Sequence, residues 1–213
     1  MNNQPTMNTP AFITRRVGIY LFDEVEALDF AGPYEVFTTA SRVAGKLWPG
    51  QPAPFEVCAV AHDAQARRAR AGLRLLPDHS LHDHPPLDVL VIPGGVVDAE
   101  RVRADVIAWI AVQAARCELT VSVCTGAFLL AQAGVLEGHR ATTHWEDLAD
   151  LRAQFPTLQV LEQVRWVDEG RVITSAGISA GIDMSLHVVA RLVSPALAQA
   201  TARQMDYRWQ AEA

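Results

Sequence analysis

The sequence is poor in cysteine, aromatic residues and positive charge. Of its 213 residues, three are cysteines, 7% are aromatic and 18 are basic against 24 acidic, giving a net charge of −6. Three cysteines are too few for a disulfide scaffold, and they favour a reducing compartment. The aromatic residues form no stripe on which single-stranded nucleic acid could stack. The negative charge further argues against nucleic acid or an anionic membrane as the main partner.

The sequence also lacks long apolar runs and nucleotide-binding motifs. The most apolar stretch, residues 121–135, is short and broken by Ser, Thr and Gly, so it cannot span a bilayer. Residues 1–14 carry neither a charge nor a continuous apolar stretch, which predicts a flexible N-terminal tail rather than a secretion signal. No GxxxxGK[ST] loop or GxGxxG fingerprint occurs. We therefore expect a cytoplasmic protein without a membrane partner.

Half of the residues are hydrophobic, and short apolar runs alternate with helical patterns. Near-continuous apolar strands between amphipathic helices indicate a parallel sheet covered on both faces. We expect one α/β domain over residues 15–213, a three-layer sandwich with a mostly parallel, flavodoxin-like sheet and ligands at the carboxyl ends of its strands. Strands are predicted over 17–22, 55–60, 87–92 and 119–123, a hairpin over 164–175, and helices over about 33–43, 99–116, 125–133, 182–193 and 195–207.

Cys124 stands where the predicted strand 119–123 runs directly into a helix, in the stretch TVSVCTGAFLLAQ. A sharp turn there would lift the thiol above the sheet edge, as in a nucleophile elbow. The helix N-terminus favours the thiolate, so we expect the thiol pKa to fall from ~8.5 to ~6.5. The alternative is a small buried side chain, the expected role of Cys58 and Cys117.

Two further features are expected to converge on this turn. Gly94 and Gly95 end the third strand, and their backbone N–H groups could face a developing negative charge; a simple tight turn is the alternative. Asp29 follows the first strand, just before a helix whose first turn is marked by Pro33. Its carboxylate could reach the thiol, or it could serve only as an N-cap.

Five segments together resemble the ThiJ/PfpI superfamily, within the class I glutamine amidotransferase-like fold. They are VGIYLF…LDFAGPYEVF, VLVIPGG, SVCTGAFLLAQAGVL, HRATTHW and TSAGISAGIDMSLHVV, between about residues 16 and 193. The LDFAGPY, VCTG and ATTHW patterns are similar to those of the isonitrile hydratase-like subgroup. The same domain resembles the ligand-sensing half of AraC-type transcription regulators.

The resemblance implies a homodimer that hydrates isonitriles to N-substituted formamides without a metal or organic cofactor. It implies that Cys124 is the nucleophile, that Asp29 is the acid and base, and that the Thr125 hydroxyl orients water or Asp29. Backbone N–H groups of Gly95 and Thr125 would stabilise the negative charge that develops during the reaction. An ionised Asp29 would also raise the thiol pKa, so the two groups should share one negative charge. Further candidate substrate-pocket residues are Gly94, His144, Trp145, Ile178 and Ser179, with ordinary packing the alternative for His144 and Trp145 and a helix cap for Ser179.

Other chemistries have less support in the residues. Thr125 stands where PfpI-type proteases carry histidine, and residues 174–181 lack the His-x-Glu pair of the amidotransferases. We therefore expect neither a protease nor a glutaminase. His79, His82 and His84 form a dense cluster, but neighbouring prolines predict a loop without helical ligand spacing, so we expect no metal there.

Two alternative functions remain open. The first is a small-molecule sensor related to the AraC-type regulators. Only 20 residues follow Val193, too few for two helix-turn-helix units, so we do not expect DNA binding. The second is a redox sensor that uses an exposed, low-pKa thiol at Cys124.

Overall fold

The computed structural model describes residues 13–212. Most of the tail predicted over residues 1–14 therefore lies outside the described residues; Thr14 donates a side-chain hydrogen bond to the Ala53 carbonyl (2.7 Å). The strands are β1 (Arg15–Leu21), β2 (Phe55–Ala61), β3 (Arg67–Arg68), β4 (Arg74–Leu75), β5 (His79–Ser80), β6 (Val89–Ile92), β7 (Leu119–Val123), β8 (Arg140–Ala141), β9 (Gln159–Val160), β10 (Trp166–Asp168) and β11 (Val172–Ser175). The α-helices are α1 (Ala27–Leu47), α2 (Asp98–Arg101), α3 (Ala104–Arg116), α4 (Gly126–Gln132), α5 (Leu148–Gln154), α6 (Ala180–Leu192) and α7 (Pro195–Gln204).

Seven strands form the central sheet in the order β10-β11-β7-β6-β1-β2-β5. All neighbours are parallel except β10 and β11, which form the predicted antiparallel hairpin. Every residue of β6 and β7 is buried, because these central strands are covered on both faces. The mostly parallel sheet predicted from the sequence is confirmed.

Alternate residues of the central strands belong to two separate apolar cores. On one face Leu90 and Ile92 pack with Ile110 of α3 and Leu130 of α4. On the other face the intervening strand residues pack with apolar side chains of α1, α6 and α7, among them Phe37, Met184 and Leu197. This period-2 division is that of a three-layer sandwich, which confirms the predicted α/β class.

Two of the predicted helices, those over 33–43 and 99–116, differ most from the observed ones. Helix α1 begins at Ala27, so Pro33 lies inside the helix and Asp29 in its first turn. The residue at the N-cap is Glu26, and the interpretation of Asp29 as an N-cap is wrong. An internal proline costs ~3 kcal/mol, which the burial of this 21-residue helix against the sheet outweighs. The predicted helix over 99–116 is two helices, α2 and α3, separated at residues 102–103.

Helix α6 is tied to the segment after α7 through the buried carboxylate of Asp183. This carboxylate accepts hydrogen bonds from the Tyr207 hydroxyl (3.1 Å), the Gln210 backbone N–H (3.0 Å) and the Arg165 guanidinium (2.6 Å). These bonds fix α6, whose N-terminus points towards the carboxyl ends of the strands. Within the described residues, every helix is too short or too polar to cross a membrane.

Candidate active site

Cys124 occupies a strained turn between β7 and α4. Its φ is 55°, a left-handed conformation that residues other than glycine rarely adopt. The turn is held at both ends, since the Cys124 N–H donates to the Ser175 carbonyl (3.1 Å) and its carbonyl accepts from the Thr143 hydroxyl (2.8 Å). The predicted strand-to-helix elbow is therefore present, and such strain concentrates at functional positions.

Two glycines let the ends of β6 and β7 approach each other at this turn. A Cβ on Gly126 would lie 2.1 Å from the Ile92 carbonyl oxygen. A Cβ on Gly94 would lie 2.6 Å from the Thr125 nitrogen and 2.8 Å from Cys124 Cβ. Any larger residue would push the cysteine away from the strand beside it.

The carboxyl group of Asp29 lies against the thiol of Cys124, as predicted. Asp29 is fully buried, and its Oδ2 accepts a hydrogen bond from the Gly94 N–H (3.1 Å). Among the described residues, no nitrogen or oxygen donor reaches its other oxygen, Oδ1. The thiol and the carboxyl are close enough for each to shift the pKa of the other. Thus the first turn of α1 supplies an acid to the sulfur at the start of α4.

The pKa of each partner is raised. Burial raises the pKa of Asp29 to about 7, although the Gly94 N–H lowers it. Burial, together with the charge of the neighbouring Asp29 carboxylate, raises the pKa of Cys124 to about 12. Two such groups titrate as a pair, so between about pH 7 and 12 they hold one proton between them.

The expected low thiol pKa is therefore wrong. The backbone N–H of Thr125, at the start of α4, does lower the pKa of Cys124, but burial and the Asp29 charge have the larger effect. Cys124 is also 7% exposed rather than open to solvent, which removes the premise of an exposed, low-pKa redox thiol. The other two cysteines, Cys58 in β2 and Cys117 after α3, are buried as expected of structural residues.

Thr125 and Gly95 engage each other rather than a substrate. The Thr125 hydroxyl accepts from the Gly95 N–H (2.8 Å) and donates to the Gly95 carbonyl (2.8 Å). The expected free N–H groups at Gly94 and Gly95 are therefore absent, because Asp29 and Thr125 accept from them. The Thr125 hydroxyl is likewise not free to orient water. It instead fixes the loop after β6 against the elbow.

Cys124 opens into a cavity of about 200 Å³. We call it the thiol cavity; it is lined by Glu26, Arg70, Gly95, Cys124, Thr125, His144, Glu146, Asp147 and Ile178. It thus brings together five of the predicted site residues, while Asp29 and Gly94 are buried behind the sulfur.

Two predicted pocket residues lie outside the thiol cavity. Trp145 is 72% exposed and lines a neighbouring cavity. Ser179 is the N-cap residue of α6, but its hydroxyl accepts from the Arg165 guanidinium (3.4 Å) and makes no cap hydrogen bond. His144, for which packing was an alternative, lines the thiol cavity with its Nδ1 3.6 Å from an Asp147 carboxylate oxygen.

Four charged residues that line the thiol cavity were not among the predicted site residues. Glu26 forms an ion pair with Arg70 (3.2 Å), while Glu146 and Asp147 flank His144. Three carboxylates against one guanidinium disfavour an anionic ligand. Glu26, Glu146 and Asp147 adjoin quoted motifs and could have been suspected, but Arg70 comes from the irregular segment 62–86.

The predicted histidine cluster shows no metal-binding arrangement. Within the described residues, no group of three His, Cys, Asp or Glu side chains is placed to hold a metal ion. His79 is part of β5, and the Nε2 of His84 accepts a hydrogen bond from the Trp109 indole (2.9 Å).

A buried cysteine and carboxyl pair on a strand-to-helix elbow, at the carboxyl edge of a three-layer sandwich, defines a class of α/β proteins with a nucleophile-type turn. The DJ-1/PfpI family model matches residues 15–191. The chain belongs to the DJ-1/PfpI family, which confirms the resemblance to ThiJ/PfpI proteins.

Relatives within the family differ in their described roles. The chain is 35% identical to isonitrile hydratase of Pseudomonas putida over 193 residues, covering 90% of this chain and 78% of the relative. It is 28% identical to the HTH-type transcriptional regulator GbdR of Pseudomonas aeruginosa, covering 82% of this chain but 46% of the regulator. The chain thus spans about half the length of that regulator.

Solved structures agree with the fold. A ThiJ/PfpI family protein from Pseudomonas syringae superposes with a TM-score of 0.82 at 28% identity, covering 97% of this chain and 81% of that one. Drosophila melanogaster DJ-1beta gives a TM-score of 0.76 at 20% identity, covering 92% of this chain and 100% of that one. The latter likeness concerns the fold alone.

Proposed function

We propose that the protein hydrates isonitriles to N-substituted formamides, with Cys124 as nucleophile and Asp29 as acid and base. The observation that carries this proposal is the buried pair of neighbouring thiol and carboxyl groups, each of which shifts the pKa of the other. The 35% identity to an isonitrile hydratase supports the same reaction. We further infer a cytoplasmic homodimer, as the family resemblance implies.

The first step uses the single proton shared by the pair. The proton moves to the terminal carbon of the isonitrile, and the Cys124 sulfur forms a bond to the same carbon. A C–H and a C–S bond are made, and one of the carbon–nitrogen bonds becomes a lone pair on nitrogen. The product is a neutral thioimidate, R–N=CH–S–Cys124, beside an ionised Asp29.

The second step consumes one water molecule. The Asp29 carboxylate takes a proton from water as the water oxygen bonds to the thioimidate carbon, and that proton then passes to the substrate nitrogen. The resulting R–NH–CH(OH)–S–Cys124 breaks its C–S bond. The hydroxyl proton returns to the Cys124–Asp29 pair and R–NH–CHO leaves, so the original state of the pair is restored.

The surroundings suit a neutral substrate. The excess of carboxylates in the thiol cavity disfavours anions, whereas an isonitrile carries no net charge. The Thr125 N–H lowers the pKa of Cys124, so it favours the thiolate that forms when the C–S bond of the adduct breaks. Gly94, buried behind the sulfur, keeps the Asp29 carboxyl oriented.

The proposal is tested by incubating the protein with cyclohexyl or phenyl isonitrile and measuring the formamide by chromatography. We expect formamide from the wild type and from Cys58→Ala, which removes a buried thiol outside the site, but none from Cys124→Ala. Formamide from Cys124→Ala at the wild-type rate, or none from the wild type, would overturn the proposal.

A second candidate, ligand sensing without turnover, is favoured by the similarity to the regulator GbdR. Saturable binding of a small molecule in calorimetry, together with no formamide, would support it. Peroxide-dependent modification confined to Cys124, with neither binding nor turnover, would support redox sensing instead.

A further inference from the structure

We propose that a second cavity, next to the thiol cavity, binds the substituent of the isonitrile and that this substituent is apolar. The inference rests on the proposed function and adds the class of substrate. The cavity measures about 410 Å³ and lies between the 3-10 turn at 145–147, the loop before β10 and the N-terminus of α6. We call it the substituent cavity.

Size is the first argument. Sites for small molecules usually measure roughly 300–1,000 Å³. The thiol cavity, at about 200 Å³, is smaller than this range, while the substituent cavity falls within it. The reacting isonitrile group fits at the sulfur, and the substituent cavity beside it has room for a bulky substituent.

Position is the second argument. His144 and Ile178 line both cavities, so their side chains form the boundary between them. The backbone on the α6 side of this boundary packs closely against His144, because a Cβ on Gly177 would lie only 2.0 Å from His144 Cδ2. The next residue, Ile178, has a φ of 51°. A left-handed β-branched residue is an outlier, and such strain is retained where it shapes a site.

The chemistry of the lining is the third argument. The hydroxyls of Thr142 and Thr143 donate to the carbonyls of Leu161 (3.0 Å) and Cys124 (2.8 Å). The guanidinium of Arg165 is paired with the buried Asp183 carboxylate. These polar groups already have partners within the protein, so a polar substituent would gain little from them.

Apart from His144, Gln163 and Gly177, what remains of the wall is apolar. Trp145, 72% exposed, presents an indole at the cavity, where an apolar substituent would cover it. The other apolar lining residues are Leu148, Val164, Ala176, Ile178 and Ala180. Burial of a ring such as cyclohexyl against this wall would favour bulky apolar isonitriles over methyl isonitrile.

The test compares kcat/KM for cyclohexyl and methyl isonitrile in matched variants. Val164→Phe fills the substituent cavity, and Trp145→Ala removes an exposed wall residue whose loss leaves the core intact. Val135→Phe is the control, because Val135 is also a partly buried valine but lines a separate groove between α3 and the segment that follows α4. We expect the cyclohexyl-to-methyl ratio to fall about tenfold or more in both test variants and to stay unchanged in the control.

The outcomes separate the two proposals. If the wild type hydrates both isonitriles and the ratio stays constant in both test variants, or falls equally in Val135→Phe, the substituent cavity is overturned and isonitrile hydration stands. If the wild type hydrates neither compound, the proposed function fails and this inference fails with it.

Discussion

Replacing Asp29 by asparagine should make Cys124 more reactive towards an alkylating reagent while abolishing turnover. The carboxylate is one of the causes that raise the pKa of the thiol to about 12, and the substitution removes its charge but keeps an oxygen that can accept from the Gly94 N–H. The same substitution removes the group that carries the proton in catalysis. Alkylation and hydration should therefore change in opposite directions.

The size of the effect follows from the contact between the two groups. Two unit charges ~4 Å apart interact by about 4 kcal/mol at an effective dielectric constant of about 20. At about 1.36 kcal/mol for each pKa unit, removing the charge lowers the thiol pKa by up to about 3. Because burial of the sulfur persists, we expect a pKa between the ordinary ~8.5 and the wild-type value.

The assay is the rate of iodoacetamide labelling at pH 8, resolved by mass spectrometry of the three cysteine peptides. The rate follows the thiolate fraction, so Cys124 should label at least about tenfold faster in Asp29→Asn. Burial raises the pKa of Cys58 to about 11 and that of Cys117 to about 12, and neither contacts Asp29, so both serve as internal references. Formamide production should fall by at least about 100-fold.

A labelling rate at Cys124 that is unchanged or slower in Asp29→Asn would refute the electrostatic coupling. Retained turnover would refute the acid and base role of Asp29. Faster labelling at all three cysteines would instead report a loosened fold.

Burial raises the pKa of Asp29 to about 7, so between about pH 4 and 7 the folded protein keeps a proton that the unfolded chain has released. The wild type should therefore lose up to roughly 4 kcal/mol of stability in urea relative to Asp29→Asn as the pH rises through that range. Thr125→Val leaves the Gly95 N–H and carbonyl without their partner and should cost about 1–3 kcal/mol of stability together with activity. Gly94→Ala places a Cβ 2.6 Å from the Thr125 nitrogen and should abolish turnover, seen in the same formamide assay.

The predictions on pH-dependent stability, on Thr125→Val and on Gly94→Ala each have a control. If the stability of Asp29→Asn depends on pH in the same way as that of the wild type, the effect belongs to another group. Thr125→Ser keeps the hydroxyl and should behave like the wild type; equal losses in both variants would contradict the role of the hydrogen bonds. Gly45→Ala, on an exposed part of α1 with nothing within 4 Å, should stabilise the fold by about 0.5–1 kcal/mol, and an active Gly94→Ala would refute the steric argument.

The fold was predictable because the apolar runs that form its strands are short, frequent and visible within the local sequence. Every residue of β6 and β7 is apolar or buried, and such runs indicate a parallel sheet without any long-range information. Boundaries were harder to place. Pro33 marks a first turn in most helices but not in α1, and Val102 continues a helical period although it is 82% exposed at the break between α2 and α3.

The candidate site was predictable where it depends on topology. Cys124 and Asp29 follow strands that end at one edge of the sheet, so their meeting could be expected. The hydrogen-bond partners could not be predicted, because the two bonds between Thr125 and Gly95 depend on atomic positions to within about an ångström. The direction of the thiol pKa was wrong for a related reason: a helix N-terminus is visible in the sequence, whereas the depth of burial is not.

The turn at Cys124 is held by hydrogen bonds to its own main-chain atoms: its N–H donates to the Ser175 carbonyl, and its carbonyl accepts from the Thr143 hydroxyl. Neither hydrogen bond involves the sulfur. A Cys124→Ser protein should consequently retain the shape of the site while its nucleophilicity is lost, and crystals of it soaked in an isonitrile offer a means of viewing the intact substrate before reaction.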